Sequence, residues 1–144
     1  MGRFSESADV RSPVEATFAY VTDQDRLAEW NDHVQWAEVV GGGPVAVGSK
    51  LRQHRRRNSR EFDLLFEVAG HDPPHRHVVE GSVFGVDTTM SFTLQPKGAG
   101  TRVTMTADVQ GRGLRRLLAP VVTGEMRKST VAALAALRAH LGAP

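Results

Sequence analysis

The stretch from Arg112 to Leu141 constrains the fold most, because its hydrophobic residues recur at the spacing of an α-helix. A helix of roughly thirty residues would be about 45 Å long, which exceeds the width of a small domain. Pro120 is the only proline inside the stretch, and it predicts a break because proline has no backbone N–H to donate. We therefore predict a short turn, a kink near Pro120 and a main helix from about Val121 to Leu141.

The hydrophobic residues of this stretch fall on two faces of the predicted helix. The face near the proline carries Leu114, Leu117, Leu118 and Val121. The main helix has a separate face formed by Met126, Thr130, Leu134, Leu137 and Leu141. A face of this length must pack on a broad hydrophobic surface, which the preceding chain has to supply.

Length and composition indicate one globular domain over residues 1–144, large enough to enclose a core and a small cavity. The absence of cysteine excludes disulfides and thiol chemistry, and it fits a cytoplasmic protein. No apolar run predicts export or membrane insertion. A net charge of +2 is too small to indicate nucleic-acid binding.

Between residues 35 and 110 the hydrophobic period changes to two, which is typical of β-strands. Six strands are predicted, at residues 35–40, 49–56, 60–69, 75–84, 86–95 and 101–110. Their connections are too short for crossover helices, so neighbouring strands should form antiparallel hairpins. A polar strand near residues 4–10 precedes them, followed by helices at 12–22 and 25–30. Ser12 and Glu15 have the spacing of a capping box at the start of the first helix. The order is β-α-α-β6-α, an α+β fold.

One face of the predicted sheet is hydrophobic and should lie under the long helix. Its inward positions include Leu51, Gln53, Phe62, Leu64, Phe66, Met90, Phe92, Met105 and Ala107. These residues suit either a packed core or the wall of a pocket. Gln53 is the polar exception, and a buried amide must either bond a neighbour or orient a ligand.

Several segments resemble the START-like (SRPBCC) superfamily, and within it the polyketide cyclase/dehydrase-like group. They are SPVEATFAYVTD at 12–23, Trp30, Val47-Gly48-Ser49, Asp72-Pro73-Pro74-His75-Arg76, Gly100-Thr101-Arg102-Val103-Thr104 and the Leu- and Ala-rich final helix. The resemblance covers nearly the whole chain, but these motifs specify the fold better than the activity.

The resemblance implies a helix-grip fold, in which a curved antiparallel sheet wraps the C-terminal helix around a hydrophobic cavity. It implies a small hydrophobic or amphipathic ligand, lipid- or polyketide-like, and indicates no cofactor. The cavity residues would be Trp30, Trp36, Leu51, Gln53, Phe62, Leu64, Phe66, Met90, Phe92, Met105, Ala107, Val121 and Met126. Three functions remain open: a binding or carrier protein, a cyclase or dehydratase, and an interaction module with a filled core.

No family-wide catalytic set exists to transfer, so catalytic candidates come from the residues alone. His77 and Glu80 lie on one predicted strand, where only one of the two can point inward and exchange protons. A zinc site formed by His71, His75 and His77 is not favoured, because their spacing matches no established ligand pattern. The basic run from Arg52 to Arg57 is interpreted as a solvated outer face and hairpin tip.

Overall fold

The computed structural model describes residues 2–143, and a seven-stranded sheet dominates it. The spatial order is β1-β7-β6-β5-β4-β3-β2, and every neighbouring pair is antiparallel. The strands are β1 (Gly2–Val10), β2 (Val34–Val39), β3 (Lys50–Arg57), β4 (Arg60–Asp72), β5 (Arg76–Val83), β6 (Val86–Lys97) and β7 (Gly100–Gln110). Each predicted strand is present, and no end differs from its predicted position by more than three residues.

Three α-helices accompany the sheet: α1 (Val14–Thr22), α2 (Leu27–Trp30) and α3 (Ala119–Leu141). Short 3-10 segments precede α2 at Gln24–Arg26 and α3 at Gly113–Leu117. The order β-α-α-β6-α and the helix-grip architecture are therefore confirmed.

The predicted capping box at α1 is wrong. Pro13 occupies the N-cap position, and no side chain caps the helix. The backbone carbonyl of Ser12 instead accepts hydrogen bonds from the hydroxyls of Thr17 at 3.2 Å and Thr101 at 2.8 Å. Because Thr101 belongs to β7, this contact ties the start of α1 to the sheet.

Pro120 marks the beginning of α3, where a missing N–H leaves no hydrogen bond unmade, and does not kink a continuous helix. The predicted hydrophobic face before the proline is not buried. Leu114 is 86% exposed and Leu117 is 71% exposed, and the 3-10 segment buries none of its residues. In this segment the side chain of Arg115 lies against Gly85 in the β5–β6 turn, whereas the leucines extend into solvent.

The two halves of α3 pack differently on the inner face of the sheet. Its C-terminal half belongs to a continuous core in which Leu137 and Leu134 join Trp30, Leu94 and Val103. The N-terminal half belongs to a second cluster at the other end of the sheet, formed by Leu51, Leu64, Phe66, Val68, Val83, Val86, Val109, Ala119 and Val122.

Ion pairs hold α3 to both sides of the sheet. On β1, Glu6 accepts a hydrogen bond from Arg127 Nε at 2.8 Å. On β3, Arg57 forms an ion pair with Glu125, which lies two residues before Arg127 on α3. The helix is thus fixed from two directions, and the space between the two core clusters lies under it.

Candidate functional site

A cavity of about 380 Å³ lies between the inner face of the sheet and α3. This volume is within the range of about 300–1,000 Å³ that is typical of small-molecule sites. Ten of the predicted residues line it: Trp30, Gln53, Phe62, Leu64, Phe66, Met90, Phe92, Met105, Val121 and Met126. Most of these side chains are aromatic, aliphatic or thioether groups, so the wall favours a hydrophobic molecule.

Three predicted cavity residues lie elsewhere. Trp36 is 45% exposed, because a register shift between Val34 and Trp36 turns it to the outer face, where it stacks on His54. Leu51 points inward but is enclosed in the second core cluster. Ala107 is fully buried on β7, paired with Met90 of β6 on one side and β1 on the other.

The two catalytic candidates do not line the cavity. Glu80 is exposed on the outer face of β5, because the inward parity of that strand belongs to His77, Val79 and Val83. His77 is buried at the end of the sheet covered by α1, where its ring packs against Phe18. The sequence did not decide which face of this strand points inward. In the structure it is the face of His77, whose side chain lies outside the cavity.

The histidines around the β4–β5 turn do not form a metal site. His71 Nδ1 lies 3.1 Å from His77 Nδ1, so one imidazole donates to the other, whereas His75 lies near the Leu94 carbonyl. Among residues 2–143, no group of three or more histidine, aspartate or glutamate side chains is arranged to hold a metal ion.

The predicted outer-face position of the basic run on β3 is wrong for two of its arginines. Arg55 and Arg57 share the inward parity of Gln53, and both line the cavity. Arg56, between them, is exposed as expected. Strict alternation along β3 indicates this arrangement. The positive charge of the side chains favoured a solvated position instead, so the prediction placed them outside.

Further residues that were not predicted from the sequence also line the cavity. They are Leu27, Asn31 and His33 around α2, Val79, Val83 and Phe84 on β5 and its hairpin, and Val122, Glu125, Ser129, Thr130 and Ala133 on α3. The helical members follow the i, i+3, i+4 spacing from Val122, so the helix pattern contained this information. The loop after α2 gave no comparable signal.

Most polar groups of the cavity lie on β3 and α3, and Asn31 and His33 add two more beside α2. Arg55 Nη1 donates a hydrogen bond to Gln53 Oε1 at 2.8 Å, so the partly buried amide of Gln53 has a neighbouring partner. The pair between Arg57 and Glu125 spans from the sheet to the helix at the border of the cavity. The pKa of Arg55 is lowered to about 10 by burial and, to a smaller extent, by the positive charge of Arg57.

The segment before α3 is expected to open more readily than the helix itself. No side chain of residues 113–118 is buried. Backbone hydrogen bonds, such as the one from Leu118 N–H to the Arg115 carbonyl, hold the turn. We expect their amides to exchange with solvent at least about tenfold faster than those of residues 130–137. Hydrogen-exchange mass spectrometry measures this difference, and equal protection would contradict a movable border at this end of the cavity.

None of the helices within residues 2–143 is long and apolar enough to cross a membrane.

Comparison with known proteins identifies a family match over nearly the full length of the chain. A family model described as "Polyketide cyclase / dehydrase and lipid transport" matches residues 1–142. A 4-hydroxyproline 2-epimerase 2 of Brucella anthropi is 32% identical over 112 residues. That match covers 69% of this chain and 32% of the epimerase, so the chain spans about a third of that protein's length.

Two solved structures illustrate the shared fold. The di-domain ARO/CYC protein BexL of the BE-7585A biosynthetic pathway gives a TM-score of 0.80 at 15% identity, covering 98% of this chain and 46% of BexL. Ara h 8.0201 gives a TM-score of 0.79 at 14% identity, with 97% of both chains covered. At these identities the similarity establishes the fold alone.

Proposed function

Because this chain belongs to the polyketide cyclase/dehydrase and lipid transport family, we propose that it binds a small hydrophobic or amphipathic molecule between its sheet and α3. The observation that carries this proposal is the 380 Å³ cavity with its largely hydrophobic wall. Burying apolar surface contributes about 25 cal/mol per Å², so such a wall favours retention of an apolar molecule. A binding or carrier role requires no reacting groups, which fits the position of His77 and Glu80 outside the cavity.

Native mass spectrometry of the purified protein, followed by solvent extraction, tests the proposal. A reproducible apolar adduct would identify the chemical class of the ligand. An unliganded mass, with no stabilisation by fatty acids, sterols or aromatic polyketides, would contradict the proposal and favour an interaction module.

Filling the cavity is expected to remove binding. Ser129 lines the cavity on α3, and Ser129→Phe would place a ring in the ligand space. We expect the affinity for the extracted molecule to fall at least about tenfold, equivalent to a loss of about 1.4 kcal/mol, in a titration calorimetry measurement. Lys128→Phe is the matched control, because Lys128 is exposed and does not line the cavity. An equal loss in both variants would indicate general damage to α3.

A cyclase or dehydratase activity in the same cavity is the second candidate function. The family description and the structural similarity to an ARO/CYC protein support it, as do the polar groups that Arg55, Gln53 and Glu125 bring to the cavity. An enzyme of this kind would hold a reactive chain in a folded conformation while polar groups exchange protons with it. Turnover of a polyketide-like substrate that falls in Gln53→Leu while binding persists would support the enzyme; binding without turnover supports the carrier.

A further inference from the structure

Arg55 is a cation in a hydrophobic cavity without an acidic partner. Its guanidinium has five N–H donors, and Gln53 accepts a hydrogen bond from one of them. No carboxylate within residues 2–143 lies at ion-pair distance from it. A half-buried charge of this kind is destabilising unless an opposite charge meets it.

The charges of the cavity wall do not balance. Glu125 is the only acidic residue among the lining residues of the described chain, and it pairs with Arg57. Arg55 therefore supplies a positive charge that the wall itself leaves uncompensated. The adjacent positive charge of Arg57 makes this position less favourable for a second cation and more favourable for an anion.

We propose that Arg55 binds the carboxylate of an amphipathic acid whose hydrophobic body fills the rest of the cavity. The planar guanidinium matches a carboxylate through two parallel hydrogen bonds, a geometry that an ammonium group does not offer. Gln53 is the positioning residue, because its amide oxygen accepts a hydrogen bond from one guanidinium nitrogen of Arg55 and leaves the other two nitrogens for the ligand. The hydrophobic body would contact Phe62, Phe92 and Met126. This inference rests on the proposed function, since it names the class of molecule that the cavity takes.

A matched pair of ligands tests the inference directly. Dodecanoate and dodecanol share one hydrocarbon chain, and only the first is negatively charged at neutral pH. We expect the wild-type protein to bind dodecanoate at least about tenfold more tightly than dodecanol in titration calorimetry, as is usual for a charge-assisted hydrogen bond. Arg55→Met should remove this advantage and leave dodecanol affinity within about threefold of the wild-type value. Arg56→Met is the control, because Arg56 is exposed on the same strand, and it should keep the preference for the acid.

The possible outcomes separate this inference from the proposed function. Equal binding of acid and alcohol by the wild-type protein overturns the anion site and leaves a hydrophobic cavity in place. Binding of neither compound overturns the assignment of an amphipathic acid, and native mass spectrometry then decides separately whether the proposed function holds.

Thermal unfolding supplies a second readout. Removing an uncompensated charge should leave the Tm of Arg55→Met unchanged or raise it. A clear fall in Tm would identify Arg55 as a structural residue and overturn its assignment to a ligand.

Discussion

Replacing Leu137 with alanine is expected to lower the free energy of unfolding by about 2–5 kcal/mol. Leu137 is fully buried where α3 packs on the sheet, in the same cluster as Trp30 and Leu94. The cluster is continuous there, so removing the isobutyl group leaves a void that its neighbours cannot fill. Urea denaturation monitored by circular dichroism measures the change.

Met126→Ala is the matched control for Leu137→Ala, because it truncates another hydrophobic residue on the same helix. Met126 is partly exposed and already faces the open cavity. Its truncation enlarges an existing space, so we expect a smaller destabilisation of about 1–2 kcal/mol, together with altered ligand affinity. Equal destabilisation by the two variants would mean that the cavity end of α3 is packed as tightly as the core. Leu137→Ala should leave ligand affinity unchanged, since Leu137 does not line the cavity.

Alternation along the strands made much of the cavity wall predictable. Phe62, Phe66 and Phe92 occupy inward positions in their strands, and a two-residue period fixes this orientation without knowledge of the partner strand. The helical period of α3 placed Met126 and Leu137 on the buried face in the same way. These patterns depend on local geometry, which the sequence encodes directly.

The partners of the inward charged residues depend on contacts distant in sequence. Alternation along β3 places Arg57 inward, where it pairs with Glu125, a residue 68 positions away. The pattern of β3 places Arg55 on the same side, but a run of basic residues on a strand usually indicates a solvated face. Only the position of α3 across the sheet shows that the charge of the inward Arg57 is compensated.

Irregularities in local structure account for the other differences. The register shift in β2 turned Trp36 outward, and a single extra residue is enough to exchange the two faces of a strand. Leu114 follows the spacing of a buried helical face but has no surface opposite it. Hydrophobic spacing identifies a face that is suited to burial, whereas the tertiary structure decides whether a surface covers it.

Lowering the pH is expected to destabilise the protein through His77. This residue is 3% exposed, and its pKa is lowered to about 4 by burial, with a smaller contribution from the neighbouring His71. In the unfolded chain the pKa of histidine is about 6.5. Between these two pH values the unfolded chain binds a proton that the folded protein does not. The free energy of unfolding should therefore fall as the pH drops from about 6.5 to about 4, by about 3 kcal/mol in total.

Two variants assign this pH dependence to one imidazole. His77→Phe removes the titrating group and keeps an aromatic ring beside Phe18 and Phe92, so the contribution of His77 to the slope between pH 4 and pH 6.5 should disappear. His75→Gln should retain that slope, because His75 is an exposed residue of the adjacent turn. Urea unfolding at several pH values measures both variants against the wild-type protein. An unchanged slope in His77→Phe would mean that other groups cause the acid sensitivity, and that burial of His77 has no energetic consequence in this range.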